Sequence, residues 1–274
     1  MLASSMAKRW SVTHTGGQPG PRRFQAYCVG AAKAGTSSLA GMLETEFRTA
    51  HEPERAELLD AILALDSGRI DSAELDRYLR QRDGRLGLDF DSSWANQFVM
   101  ERLATLFPDA KFIQLIRDCY TWVESVINHL ITRTIPADVQ SFLDWWFEPS
   151  KYPHQRSDRG LKEIGVYSLD CFVTRWSIHA EGPPQVIPPD RLMTIRTSEI
   201  RTSAQRLADF LGISVDLIDR TQSHRNKGET VRPLLGLVDK AYLDDTVARI
   251  CWDSMNRYFP KIRRADDAAL ARWE

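Results

Sequence analysis

Residues 33–38, Lys-Ala-Gly-Thr-Ser-Ser, place an ammonium, a flexible backbone point and three hydroxyls in one short run. The run lies inside CVGAAKAGTSSL, residues 28–39, where an apolar strand-like stretch meets a glycine turn that opens a helical pattern. Gly30 and Gly35 let the backbone turn tightly and approach a bound anion. The N–H groups at the helix start then point at that anion, and the helix dipole favours its charge. Lys33 adds a full positive charge, and Thr36, Ser37 and Ser38 add donors. The pattern is not the Gly-Lys-Ser/Thr loop of ATP-binding proteins, because here the lysine precedes the second glycine. The plain alternative is an ordinary strand–turn–helix with a surface lysine.

A second oxyanion site is expected in FPDAKFIQLIRDCYTWVESVINHL, residues 107–130. Arg117 ends a buried strand, so its guanidinium fork emerges where the strand ends, and Ser125 follows about a turn and a half into the next helix. A planar fork and a hydroxyl suit a phosphate; an ion pair between Arg117 and Asp118 is the simpler possibility. A proton acceptor is offered by TAHEPER, residues 49–55, through the carboxylate of Glu52 or the imidazole of His51, whose ordinary pKa suits proton transfer. Acids at a helix start are also what the helix dipole favours, so Glu52 and Glu54 fit a structural role as well.

These groups need elements to position them. FQAYCV (24–29), LGLDF (86–90), KFIQLI (111–116) and RLMTIR (191–196) read as strands, with FRTA before His51 as a shorter one. Helices are predicted from Thr36 to about Glu46, after Pro53, over DSAELDRYLRQ with Asp71 as N-cap, over ANQFVMERLATLF as far as Pro108, over CYTWVESVINHLI, and over AQRLADFLG closed by Gly212. Strands alternating with helices predict a single α/β domain, a parallel sheet of about four to five strands flanked by helices, with ligands at the carboxyl ends of the strands. The domain is expected over residues 24–274, after a flexible leader at 1–23. Residues 132–160 read as irregular, with Trp145 and Trp146 either a lid or core residues, and GPPQVIPP (182–189) as a stiff connector.

Composition narrows the function. The 274 residues carry 36 basic and 37 acidic side chains, a net charge of −1. No bulk field attracts nucleic acid or an anionic membrane, so any anion must be held by a local cluster. No apolar run is long enough to span a membrane, and the first residues lack the apolar core of a signal peptide. Cys28, Cys119, Cys171 and Cys251 are widely spaced, as reduced packing residues of a cytoplasmic protein are, and the scattered histidines suggest no metal site.

The segment AKAGTSSL resembles the 5′-phosphosulfate loop, (P/A)KxGTTxL, of sulfotransferases that use 3′-phosphoadenosine-5′-phosphosulfate. FIQLIRDCYTWVES is similar to the 3′-phosphate motif of that family, with Cys119 in place of its usual proline and Trp122 in place of its second arginine. QSHRNKGET (222–230) is similar to its late basic loop. The likeness spans roughly residues 24–230 and leans toward the bacterial or Golgi-like branch. It implies a P-loop-like sulfotransferase fold, with Lys33, Ala34, Gly35, Thr36, Ser37 and Ser38 around the 5′-phosphate, Lys33 neutralising the oxygen that bridges phosphorus and sulfur, and Arg117, Ser125, Arg225, Lys227 and Gly228 around the 3′-phosphate and adenine. Glu52 takes the place of the family's carboxylate base, with His51 second, and Asp89, Asp91 and Trp94 resemble acceptor-cleft residues; Asp91 equally suits an N-cap. The implied products are adenosine 3′,5′-bisphosphate and a sulfated small molecule, whether metabolite, sugar or lipid, formed without a metal. An ATP-dependent P-loop kinase and a non-catalytic nucleotide-binding module are the competing expectations. Neither the acceptor nor the oligomeric state is written in the sequence.

Overall fold

Five short strands form one parallel sheet in the computed structural model, which describes residues 21–223 and 232–270. β1 (Ala26–Cys28), β2 (Thr49–His51), β3 (Phe90–Ser92), β4 (Lys111–Ile116) and β5 (Leu192–Arg196) lie in the order β2-β3-β1-β4-β5. Every neighbouring pair is parallel. Each strand therefore returns through a helical crossover, and both faces of the sheet are covered. The helices among the described residues are α1 (Thr36–Leu43), α2 (Arg55–Asp66), α3 (Ser72–Leu86), α4 (Met100–Leu106), α5 (Cys119–Thr132), α6 (Ala137–Phe147), α7 (Arg159–Glu163), α8 (Leu169–Val186), α9 (Ala204–Leu211), α10 (Lys240–Tyr258) and α11 (Ala265–Leu270).

The pleat of β4 divides the core. Phe112 and Ile116 join the larger cluster, with Leu103 of α4, Trp122 of α5 and Phe172 of α8. Ile113 and Leu115 join the smaller one, with Leu39 of α1 and Leu207 of α9. Two-sided burial explains why β4 reads as a continuous apolar run rather than an alternating one.

Local signals place most boundaries. Asp71 and Glu74 form a reciprocal capping box at α3, and Gly212 closes α9 in the left-handed region. Four departures from the sequence reading have physical reasons. α3 continues to Leu86 and closes at Gly87, which has φ 57°, so β3 starts only at Phe90. Ser93, not Asp91, caps the 3₁₀ turn Trp94–Phe98 that precedes α4. The stretch read as irregular holds α6, whose Val139, Phe142, Leu143, Trp146 and Phe147 recur at helical spacing and are buried.

Finally, α8 runs through Pro183 and Pro184, so the expected connector is largely its last turns. Those prolines lack the N–H groups that would bond the carbonyls of His179 and Ala180. The side chain of Gln114, fully buried in β4, donates to both carbonyls at 3.1 Å and accepts from Thr194 at 2.9 Å. The sheet thus supplies the bonds that the helix has lost.

Candidate functional site

The loop after β1 is held from three sides before it reaches α1. A Cβ on Gly30 would stand 2.8 Å from the Cβ of Leu115, so only glycine lets the loop lie this close to β4. Thr197 donates to the carbonyl of Ala34 at 2.7 Å and to that of Ile116 at 3.2 Å. Trp122 donates from its indole to the carbonyl of Ala32 at 2.9 Å. Gly35 turns into α1 at φ 107°, and Thr36 and Ser38 in the first turn are buried while Ser37 is partly exposed. Lys33 also has positive φ, 69°, a conformation that a residue with a Cβ keeps only when its surroundings impose it.

Lys33 is partly buried and has no carboxylate within ion-pair distance among the described residues. Burial lowers its pKa, and Arg117 and Arg133 lower it further against the opposing pull of Glu52. A cation disfavoured in this way is stabilised by an anion of the right size, so the loop's donors fit a phosphate or sulfuryl group.

Arg117 leaves the end of β4, the strand hydrogen-bonded to β1 with Cys28 level with Ile113. Its Nε donates to Thr121 at 2.9 Å, and its carbonyl accepts the indole N–H of Trp176 at 2.8 Å. Asp118 caps α5 by accepting from the N–H of Thr121. Ser125 is one of the few partly exposed positions of an otherwise buried helix. His129 lies one turn beyond it and is also partly exposed; burial, then the charges of Lys33 and Arg133, depress its pKa. Arg133 and His129 were missed in the sequence reading, although His129 follows Ser125 at i+4, the spacing that puts two residues on one helix face.

Across the sheet, β2 ends at His51, level with Ser92 of β3, which is level with Cys28 of β1. The Nε2 of His51 lies 3.0 Å from the hydroxyl oxygen of Thr36 and 3.9 Å from a carboxylate oxygen of Glu52. Ser92, wholly buried, donates to the carbonyl of Thr36 at 2.9 Å. The other carboxylate oxygen of Glu52 accepts from Arg55 at 2.7 Å. Glu52 and Glu54 have φ of 53° and 46°, so strained backbone recurs beside the loop. Burial depresses the pKa of His51, opposed by Glu52 and reinforced by Arg55.

The residues expected in an acceptor cleft are buried. Asp91 is 3% exposed and pairs with the buried Arg82 at 2.6 Å, while Asn96 donates to it at 3.2 Å. Asp89 accepts from the N–H groups of Arg23 and Arg48 and pairs with the Arg48 side chain. Burial alone would raise its pKa, yet those bonds hold the carboxyl below the usual range. Trp94 is 6% exposed, stacked on Trp146 and edge-on to Phe142 and Phe98. All three side chains are bonded or packed into the interior. Trp146 is core, and Trp145 donates to Asp66 at 2.8 Å. Arg225, Lys227 and Gly228 lie outside the described residues. No cluster of three or more His, Cys, Asp or Glu side chains able to hold a metal occurs among the described residues, and no helix among them is long and apolar enough to cross a membrane.

A family model described as a sulfotransferase domain matches residues 25–231. No curated protein matches. Solved structures that the chain is similar to include a sulfotransferase from Alicyclobacillus acidocaldarius, at 21% identity and TM-score 0.45, covering 84% of this chain and 95% of that one. Another is the sulfotransferase domain from the curacin biosynthetic pathway, at 13% identity and TM-score 0.39, covering 92% and 99%. A third is the sulfotransferase domain of the Synechococcus PCC 7002 olefin synthase, at 12% identity and TM-score 0.38, covering 94% and 97%.

Proposed function

The chain belongs to the sulfotransferase family, and from that premise we propose that it transfers a sulfuryl group from 3′-phosphoadenosine-5′-phosphosulfate to a hydroxyl or amine of a small-molecule acceptor by in-line displacement. The observation that carries this reading is the pairing of two oxyanion sites at the ends of adjacent strands, the Lys33–Ser38 loop after β1 and Arg117 with Ser125 after β4. Trp122, which stands where the family motif has an arginine, bonds the second site to the first through Ala32. A doubly phosphorylated nucleotide has two charged ends to fill such a pair.

Each residue then has a chemical task. Thr36, Ser37 and Ser38, with the N–H groups at the start of α1, hold the 5′-phosphate. Arg117 and Ser125 hold the 3′-phosphate, joined by Arg225, Lys227 and Gly228. The donor supplies an activated sulfur whose bond to the bridging oxygen breaks as the acceptor oxygen or nitrogen bonds to it. Lys33 stabilises the electron pair left on that bridging oxygen. Glu52 accepts the proton from the acceptor, with Arg55 fixing the direction of the carboxylate. The burial of all four unpaired cysteines fits a reducing, cytoplasmic setting.

Calorimetry with adenosine 3′,5′-bisphosphate in the presence of a chelator tests the donor site. Micromolar or tighter binding is expected, and transfer of labelled sulfate from the donor to components of a metabolite extract should follow. Binding of ATP with magnesium, and none of the bisphosphate, would overturn the reading in favour of a kinase. Bisphosphate binding with no transfer to any acceptor would leave a binding module.

A further inference from the structure

His51 was first considered as an alternative base, but its surroundings assign it different work. Its Nε2 faces two groups at once, the hydroxyl of Thr36 at 3.0 Å and the carboxylate of Glu52 at 3.9 Å. A hydrogen bond between a histidine and a threonine can run either way. If Thr36 donates, its only hydroxyl hydrogen is turned toward β2 and lost to the anion loop. If His51 donates, Thr36 accepts and its hydrogen is left to point elsewhere.

The nearby carboxylate selects between these. A negative charge beside Nε2 stabilises the proton on that nitrogen rather than on Nδ1. Thr36 has little room to choose another arrangement. It is 5% exposed, its carbonyl is held by the buried hydroxyl of Ser92, and Ser92 is level with both His51 and Cys28 across three strands. The three strand ends thus form a bracket around the first residue of α1.

We infer that His51 is a positioning residue: its Nε2–H donates to Thr36, so that the Thr36 hydroxyl hydrogen is directed into the phosphate loop as a donor to the bound 5′-phosphate. Glu52 then has two roles, fixing the tautomer of His51 and accepting the acceptor's proton. Because the ring already carries hydrogen on Nε2, it cannot take a proton there from the acceptor. The inference rests on the donor reading above for the identity of the anion, but not for the tautomer.

Two measurements decide it. The tautomer comes from long-range proton–nitrogen correlation of the imidazole rings, with the His51 signal assigned by its absence in His51→Gln. Hydrogen on Nε2 is expected, and hydrogen on Nδ1 overturns the inference whether or not any nucleotide binds. The second compares adenosine 3′,5′-bisphosphate with adenosine 3′-monophosphate, which lacks the group that Thr36 would hold. His51→Ala should weaken the bisphosphate about tenfold, the size of one hydrogen bond to a charged group, and leave the monophosphate unchanged. His51→Gln, which keeps an N–H donor, should recover most of the loss. Equal weakening of both nucleotides, or no recovery in His51→Gln, overturns the assignment. Failure of the wild-type protein to bind the bisphosphate overturns the donor reading alone, and the tautomer still decides this one.

Discussion

In the proposed sulfuryl transfer negative charge builds on the departing phosphate, so the cation of the loop has the most direct hold on the rate. Lys33 has that place, and its left-handed backbone shows that the fold sustains strain to keep it there. Lys33→Ala is expected to lower kcat by about a hundred- to a thousandfold, the usual cost of losing one preorganised charge-stabilising donor, with a smaller loss in bisphosphate affinity. The pH profile carries a second sign. Burial, Arg117 and Arg133 push the lysine below its ordinary pKa of 10.5, so its charge is lost earlier as the pH rises. The alkaline limb of kcat/KM, which reports the free enzyme, should lie below the ordinary lysine range and move upward in Lys33→Arg. Glu52→Gln should abolish turnover while bisphosphate binding survives, and retained turnover would dismiss Glu52 as the base. At this scale the strand–turn–helix of residues 28–39 was legible because its signals are contiguous and can be read without knowing the fold. The His51–Thr36 contact was not legible: it joins residues on opposite sides of β3, and no spacing encodes it. The Arg82–Asp91 pair, nine residues apart between α3 and β3, was not legible either, because its partners belong to different elements.

Elements were legible where their signals are local and obscured where a neighbour supplies what the sequence withholds. Asp71 and Gly212 mark helix ends by their own geometry. Pro183 and Pro184 mark an interruption just as strongly, yet α8 continues through them, because Gln114 satisfies the two carbonyls they leave unbonded. The glutamine, seventy residues earlier in an apolar strand, gives no hint of that role in sequence. Its removal has a defined consequence. Gln114→Met keeps the volume but leaves the His179 carbonyl without its donor and the Ala180 carbonyl with only the 3.5 Å bond from Tyr258. At about 1–3 kcal/mol for a buried group left unpaired, a loss of about 2 kcal/mol is expected. Urea unfolding would measure it, with no change in slope if the native surface is preserved. A loss below about 1 kcal/mol would mean that α8 satisfies its own carbonyls by local adjustment or water.

The same helix joins the site to the stability of the whole molecule through His179, which is fully buried between α8, β4 and the phosphate loop. Its Nε2 lies 3.1 Å from the carbonyl oxygen of Leu115 and 3.3 Å from the backbone nitrogen of Ala31, and its Nδ1 has no hydrogen-bond partner among the described residues. Burial lowers its pKa from 6.5 to about 4, only partly offset by the bond to Leu115. The folded protein therefore refuses a proton that the unfolded chain accepts. Above pH 6.5 neither state binds it and the contribution is level. As the pH falls from 6.5 to about 4, the unfolded state gains protonation free energy at about 1.4 kcal/mol per unit, so stability drops by about 3 kcal/mol across the window. His51 and His129 have lowered pKa values as well and add to the wild-type slope, so the informative quantity is the difference between proteins. His179→Gln should be less stable at neutral pH, because a shaped core residue has been replaced, yet its stability should fall less steeply between pH 6.5 and 4. Urea midpoints at several pH values would show the two curves converging as acid is added. A saturating oxyanion ligand should shift both curves upward without removing their convergence. Parallel curves would mean that the ring takes up its proton without loss of the native packing, and that the acid response belongs to other groups.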